Sequence, residues 1–232
     1  MKVEVIVQNE KDAIAAEQSG ADRLELVSAI SEGGLTPSYG TIVRVLASVR
    51  IPVQVMIRPH SYDFVYDESD FQTIKEDILM TKMLGANGIV FGCLCKNGNI
   101  DEPLLEAVLD LADGMDITFH RAFDAVKNQQ DAYKALCKYG DKIKRILTSG
   151  GKNNAANATA ELHHLVKLSH THNCAIIMPG AGLTPDNIKS VAIETEAKEF
   201  HFGSGVRKHQ SFAHPIDKQK LKYLKNELNS II

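Results

Sequence analysis

Apolar positions along the chain fall into short β-branched runs, separated by longer stretches in which they recur every three or four residues. The runs occupy residues 3–7, 23–26, 53–57, 88–91, 116–119, 144–147, 174–178 and 199–202. Each has the length of a strand, and the stretches between them, such as 12–20, 39–48, 70–84 and 103–112, have the spacing of helices with one apolar face. From first residue to first residue the strand spacings are 20, 30, 35, 28, 28, 30 and 25. Parallel neighbours need a crossover of this size. Eight such units in 232 residues predict an α/β fold, a (β/α)8 TIM-type barrel forming one domain over residues 1–232. An open doubly wound sheet needs the same alternation, but near-even spacing without a linker favours closure. The last stretch, 216–232, sets Leu221, Leu224, Leu228 and Ile231 opposite Lys218, Lys222 and Lys225 and is the expected eighth helix.

Local punctuation agrees with this division. Gly20-Ala21-Asp22 and Gly85-Ala86-Asn87 each stand between a helical stretch and a strand, where Gly takes the left-handed position past the last turn. Gly34-Leu35-Thr36-Pro37 and Gly182-Leu183-Thr184-Pro185 each offer Thr as a helix N-cap with Pro at the first helical position.

Charge and composition remove several classes of function. The 26 basic and 29 acidic residues give a net charge of −3 with no block of one sign, so nucleic acid is not an expected partner. The longest purely apolar stretches are about five residues, where a membrane span needs about 20, so no membrane segment and no export signal are expected. Four cysteines are too few for a disulfide scaffold and fit a reducing compartment, with the cytoplasm as the expected location. Cys137 and Cys174 read as small buried hydrophobes in a helix and a strand.

In a barrel of this kind chemistry sits at the C-terminal ends of the strands. The polar residues placed in or just after strands are Glu4, Glu25, Arg58, His120, Arg121, Ser149 and His201, with Asp124 close behind. Carboxylates inside Val-Glu-Val and Leu-Glu-Leu need a polar reason, either a structural ion pair or a ligand site. Three glycine-rich loops follow strands six, seven and eight, around Ser149, Gly150 and Gly151, then Gly180, Ala181 and Gly182, then Gly203 and Ser204. Their backbone N–H groups can approach an anion closely, and barrels often hold phosphate after strands seven and eight.

Several segments together resemble the CutC family. They are residues 20–26 with 32–38, Ile57-Arg58-Pro59-His60, Thr118-Phe119-His120-Arg121-Ala122-Phe123-Asp124, residues 146–151, residues 177–182 and His201-Phe202-Gly203-Ser204. The resemblance covers nearly the whole chain. It implies a TIM-type barrel and a role in copper homeostasis, with no reaction attached. Two positions depart from the family pattern: Val27 stands where Cys is common, and His60 where Arg is common.

Copper(I) is soft and prefers sulfur. Cys93 and Cys95, two residues apart past strand four, are the candidate metal ligands and copper(I) the candidate cofactor or cargo. His163, His164, His170 and His172 read as polar helix positions. The competing reading is an enzyme, an isomerase, epimerase or hydrolase acting on a small phosphorylated or sugar-like anion. In that reading Glu4 and Glu25 move protons, His120 or His201 serves as acid or base, and Arg58 or Arg121 fixes the anion. Glu25, His120 and His201 would also suit a harder divalent ion. Tyr62, Phe64 and Tyr66 on the connection 61–68 are expected to cover a site or meet a partner, and suggest a homodimer.

Overall fold

In the computed structural model, which describes residues 1–231, each apolar run becomes a strand of one sheet. The strands are β1 (Lys2–Val7), β2 (Arg23–Leu26), β3 (Val53–Met56), β4 (Gly88–Phe91), β5 (Asp116–Phe119), β6 (Ile143–Thr148), β7 (Ile176–Pro179) and β8 (Glu199–Phe202). The helices are α1 (Glu10–Glu17), α2 (Tyr39–Leu46), α3 (Glu68–Met83), α4 (Glu102–Leu111), α5 (Gln129–Cys137), α6 (Thr159–His172), α7 (Ile188–Thr195) and α8 (Lys218–Asn229). All ladders are parallel, in the order β7-β6-β5-β4-β3-β2-β1-β8, with β7 and β8 packed side by side where the ring meets. The architecture is the TIM barrel. No helix among the described residues is long and apolar enough to cross a membrane.

The two faces of the strands differ in chemistry. Outward positions such as Val3, Val5, Leu24, Leu26, Val55, Ile89, Ile117, Ile146, Phe200 and Phe202 are buried against the helices and form the main core. Inward positions are polar at Glu4, Arg23, Glu25, Gln54, Thr118, Arg145, Glu199 and His201, all buried. Among the described residues, the separate apolar cluster on the inside is small, built of Val27, Met56 and Val90 with Ile6 and Ile30 beside it. A barrel interior is usually filled by bulky aliphatic layers, so this one is unusual.

Several local expectations change. The cap of α2 is Ser38, whose side chain accepts from the Thr41 N–H, and not Thr36. Thr36 instead fastens the loop after β2 to that after β3: its Oγ1 accepts from Arg58 N (2.9 Å) and its N–H donates to Arg58 O (3.0 Å). Thr184 is not a cap either, because α7 starts only at Ile188 and the Asn187 side chain turns back to accept from Thr184 N (2.9 Å). Gly20 and Gly85 do take left-handed backbone past α1 and α3, at φ 96° and 78°. Helix α8 ends at Asn229, and the expected extension to Ile232 ends outside the described residues.

Cys137 and Cys174 are not separate core thiols but a disulfide, with Cα atoms 5.4 Å apart. It ties the end of α5 to the residue pair before β7, so Cys174 lies outside the strand. The bond removes cysteine usage as an argument for a reducing compartment. Spacing of 37 residues gives no hint of it, because the fold alone brings those two ends to one side of the barrel.

Candidate active site at the C-terminal mouth

The C-terminal ends of the strands surround a cavity of about 570 Å³. Glu25, Arg58, His120, Arg121, Asp124, His201, Ala181, Gly182, Gly203 and Ser204 all line it, together with apolar Ile6, Met56, Phe64, Leu147 and Phe212. Glu4 lies one layer below, fully buried, and reaches the cavity only through His201.

Strand parity turns Glu4, Glu25 and His201 to the inside: Glu4 pairs in register with His201, and Glu25, one layer nearer the mouth, with Ile6. The Glu4 carboxylate meets His201 Nδ1 at 2.8 Å, while His201 Nε2 stands 3.6 Å from Glu25 Oε2. Glu4 thus fixes the ring and its tautomer, leaving Nε2 towards Glu25 and the cavity. Beneath them runs a column of ion pairs. Arg23 binds Glu4 through Nε and Glu199 through Nη2 (2.7 Å). Arg145 then joins Glu199 (3.2 Å), Thr118 (2.9 Å) and Asp116 (2.6 and 2.8 Å).

The electrostatics separate these groups. Burial penalises the Glu4 charge, but Arg23 and the His201 bond outweigh it and hold its carboxyl well below the usual range. Glu25 has no such cation in contact, and burial pushes it up to about 7 against the pull of His201. Burial would lower His201, yet the charge of Glu25 and the bond to Glu4 win and raise it. A carboxyl pushed up to about 7 and a raised imidazole oriented by a fixed carboxylate form a pair suited to proton exchange.

His120 behaves in the opposite sense. Burial, followed by the charge of Arg58, presses it down to about 3, so it is a neutral imidazole. Its position is tight, since a Cβ on Gly92 would sit 2.5 Å from His120 Nδ1. Arg58 packs over the Phe64 ring, with Cζ 4.7 Å from the centroid, and Phe64 in turn lies 5.0 Å from the His120 ring. Among the described residues, three buried polar atoms of the lining have no protein partner: Glu25 Oε1, Arg58 Nε and His120 Nε2.

The glycine loops divide. The N–H groups of Gly182, Gly203 and Ser204 donate to no protein acceptor among the described residues and border the cavity. After β6, the expected anion grip is already filled by Asp124, whose carboxylate accepts from Ser149 N (3.0 Å) and Gly151 N (3.2 Å) and also pairs with Arg121 (2.8 Å). Gly150 N donates to Thr148 Oγ1 and Gly180 N to Thr148 O, both at 2.9 Å. Ser149, Gly150, Gly151 and Gly180 therefore shape the mouth without offering it free donors.

Other candidates lie elsewhere. Cys93 is buried and Cys95 partly exposed on the loop after β4, outside the mouth. Their thiols donate to Asp101 O (3.5 Å) and Ile100 O (3.9 Å). Burial, then the Asp101 charge, raises both, Cys93 well above the ordinary thiol range, so neither is a ready thiolate. Val27, in the place where the family often has Cys, joins the small inner apolar cluster. Among the aromatics of 61–68 only Tyr62 is exposed, at 88%; Tyr66 is buried and Phe64 lines the cavity, so this segment covers the site instead of presenting three rings outward.

For metals, Glu4, Glu25 and His201 place one donor atom each within 4.8 Å of one another. The set is oxygen, oxygen and nitrogen, chemistry for a divalent ion and a poor match to copper(I). Glu4 is also committed to Arg23, which weakens it as a ligand.

Sequence reading missed Arg145, Glu199, Asp116 and Thr118. The signal was present as period-two alternation inside the runs, as in Arg-Leu-Glu-Leu at 23–26 and Glu-Phe-His-Phe at 199–202, which marks an inward polar face.

Comparison with known proteins places this geometry. The CutC family model matches residues 1–206. The human copper homeostasis protein cutC homolog is 39% identical over 199 residues, covering 86% of this chain and 71% of that protein. A family protein CutC from Bacteroides fragilis is 41% identical over 207 residues, 87% of this chain and 79% of that one. The solved CutC structure from Streptococcus agalactiae superposes with a TM-score of 0.80 at 31% identity, over 88% of this chain and 98% of that chain. Phosphoribosylanthranilate isomerase from Thermotoga maritima shares the fold alone, at TM-score 0.68 and 17% identity, with both chains fully covered. By family model, sequence identity and structure together, the chain belongs to the CutC family.

Proposed function

We propose that this chain serves copper homeostasis, the role in the name of its human relative, through a small-molecule site at the barrel mouth. The site binds a small anion and exchanges a proton with it through Glu25 and His201. One observation carries this reading: Arg58, 6% exposed, has no carboxylate within ion-pair reach among the described residues, and its Nε is unpartnered at the cavity wall. An uncompensated buried cation is costly unless it awaits a ligand anion. The free N–H groups of Gly182, Gly203 and Ser204 supply a second grip, for phosphate. Glu4, held by Arg23, orients His201, and Glu25 gives or takes the proton.

Direct capture of copper(I) is the second reading, favoured by the two-residue spacing of Cys93 and Cys95 and opposed by their raised thiols. One experiment separates them. Inorganic phosphate at about 100 times its Kd is expected to raise Tm by roughly 5–10 °C, in the native chain and equally in Cys93→Ser/Cys95→Ser. No protection by phosphate, together with loss of tight copper(I) binding in the double variant, would select the thiols over the mouth.

A further inference from the structure

The polar lining of the mouth is divided into two facing sets of donors. On one side stand Arg58, after β3, and His120, after β5. Arg58 Nη1 is spent on Glu32 O (3.1 Å) and Gly34 O (3.4 Å), and Nε–H is left over. His120 Nδ1 accepts from Ala122 N (3.1 Å), so the neutral ring carries its proton on Nε2, which is buried and unpartnered. Both groups pack on the ring of Phe64 and border the same cavity. Arg121 is paired with Asp124, so among the described residues Arg58 is the cation on this side without a carboxylate partner. The pair offers two N–H donors and one net positive charge, which match the two oxygens and single charge of a carboxylate.

The other set, the N–H groups of Gly182, Gly203 and Ser204, follows β7 and β8. β3 and β7 are four places apart in a ring of eight, so the two sets confront each other across the mouth, with Glu25 and His201 on the floor between. Opposite walls of a cavity of about 570 Å³ suit a ligand that carries one anionic group for each set. Building on the mouth as the anion site, we propose that its ligand is a small phosphorylated carboxylic acid, phosphate on the glycine loops and carboxylate on Arg58 and His120.

Calorimetric titration of the native chain at pH 7 with inorganic phosphate and with 2-phosphoglycolate tests this. The two-group probe is expected to bind about tenfold tighter or more. That ratio should fall to near one in Arg58→Lys, which keeps a charge but loses the planar fork, and in His120→Phe, which keeps the ring volume. Two variants of different chemistry, each checked for native circular dichroism, guard against a folding defect in one. Equal affinity of the two probes, or a ratio unchanged in both variants, overturns the inference alone. Failure of phosphate to bind at all overturns the mouth as an anion site, and the inference with it.

Discussion

Replacing Arg23 by Ala is expected to cost about 3–5 kcal/mol of folding stability, a fall in Tm of roughly 6–20 °C. Arg23 is the shared partner of Glu4 and Glu199, both buried inside the barrel. Without it, among the described residues, Glu4 retains only His201, and Glu199 retains Arg145 and, at the exposed end, Lys2 at 3.5 Å. Two carboxylates would then share too little compensation in a medium that solvates them poorly. The surface pair of Arg44 with Glu10, at 2.7 Å, provides the contrast. Its removal should cost at most about 1 kcal/mol, because both charges remain in water. Urea denaturation of the two variants at neutral pH checks the difference, and similar losses would mean that the interior column is not what holds the barrel's inner face.

Replacing Glu25 by Gln is expected to act in the opposite direction above neutrality. The folded chain keeps a proton on Glu25 up to about pH 7, where an ordinary carboxyl gives it up near 4.5. The stability contributed by this group is therefore complete below pH 4.5 and lost as pH rises to about 7. His201, also raised, acts in the same sense from its ordinary value of 6.5 upwards. Glu4, lowered, acts oppositely: its contribution is present above 4.5 and fades in acid. Gln cannot ionise, so Glu25→Gln escapes the penalty and should be more stable than the native chain at pH 8, by on the order of 1–3 kcal/mol. At pH 4.5 the two should be nearly equal. Urea denaturation at both pH values gives the answer, and a variant less stable at pH 8 would contradict the burial cost assigned to Glu25. A buried group whose ionisation destabilises the fold is a candidate for a functional role, the one proposed for Glu25.

Much of the barrel was legible because its outward strand positions and helix faces carry two separate periods, two and 3.6, and those periods alternate along the whole chain. The mouth residues Glu25, Arg58, His120 and His201 were legible because charge inside or directly after an apolar run is rare. What escaped was long-range. The disulfide of Cys137 with Cys174 depends on helix α5 and strand β7 meeting at one end of the barrel. The occupation of the Ser149 to Gly151 loop by Asp124 depends on a side chain 25 positions away in sequence turning into it. Thr36 and Ser38 both satisfy the chemistry of a cap, and the choice between them is made by the Arg58 backbone, which engages Thr36.

The working site proposed for this chain is the mouth, with its anion grip on the β7 and β8 loops and its proton pair on the floor. A crystal structure of the native chain soaked with inorganic phosphate tests it most directly. Phosphate density is expected within hydrogen-bond reach of the Gly182, Gly203 and Ser204 N–H groups, above an intact Glu4, His201 and Glu25 floor. A mouth without phosphate in a crystal where Arg58 and His120 turn to other protein partners would contradict it.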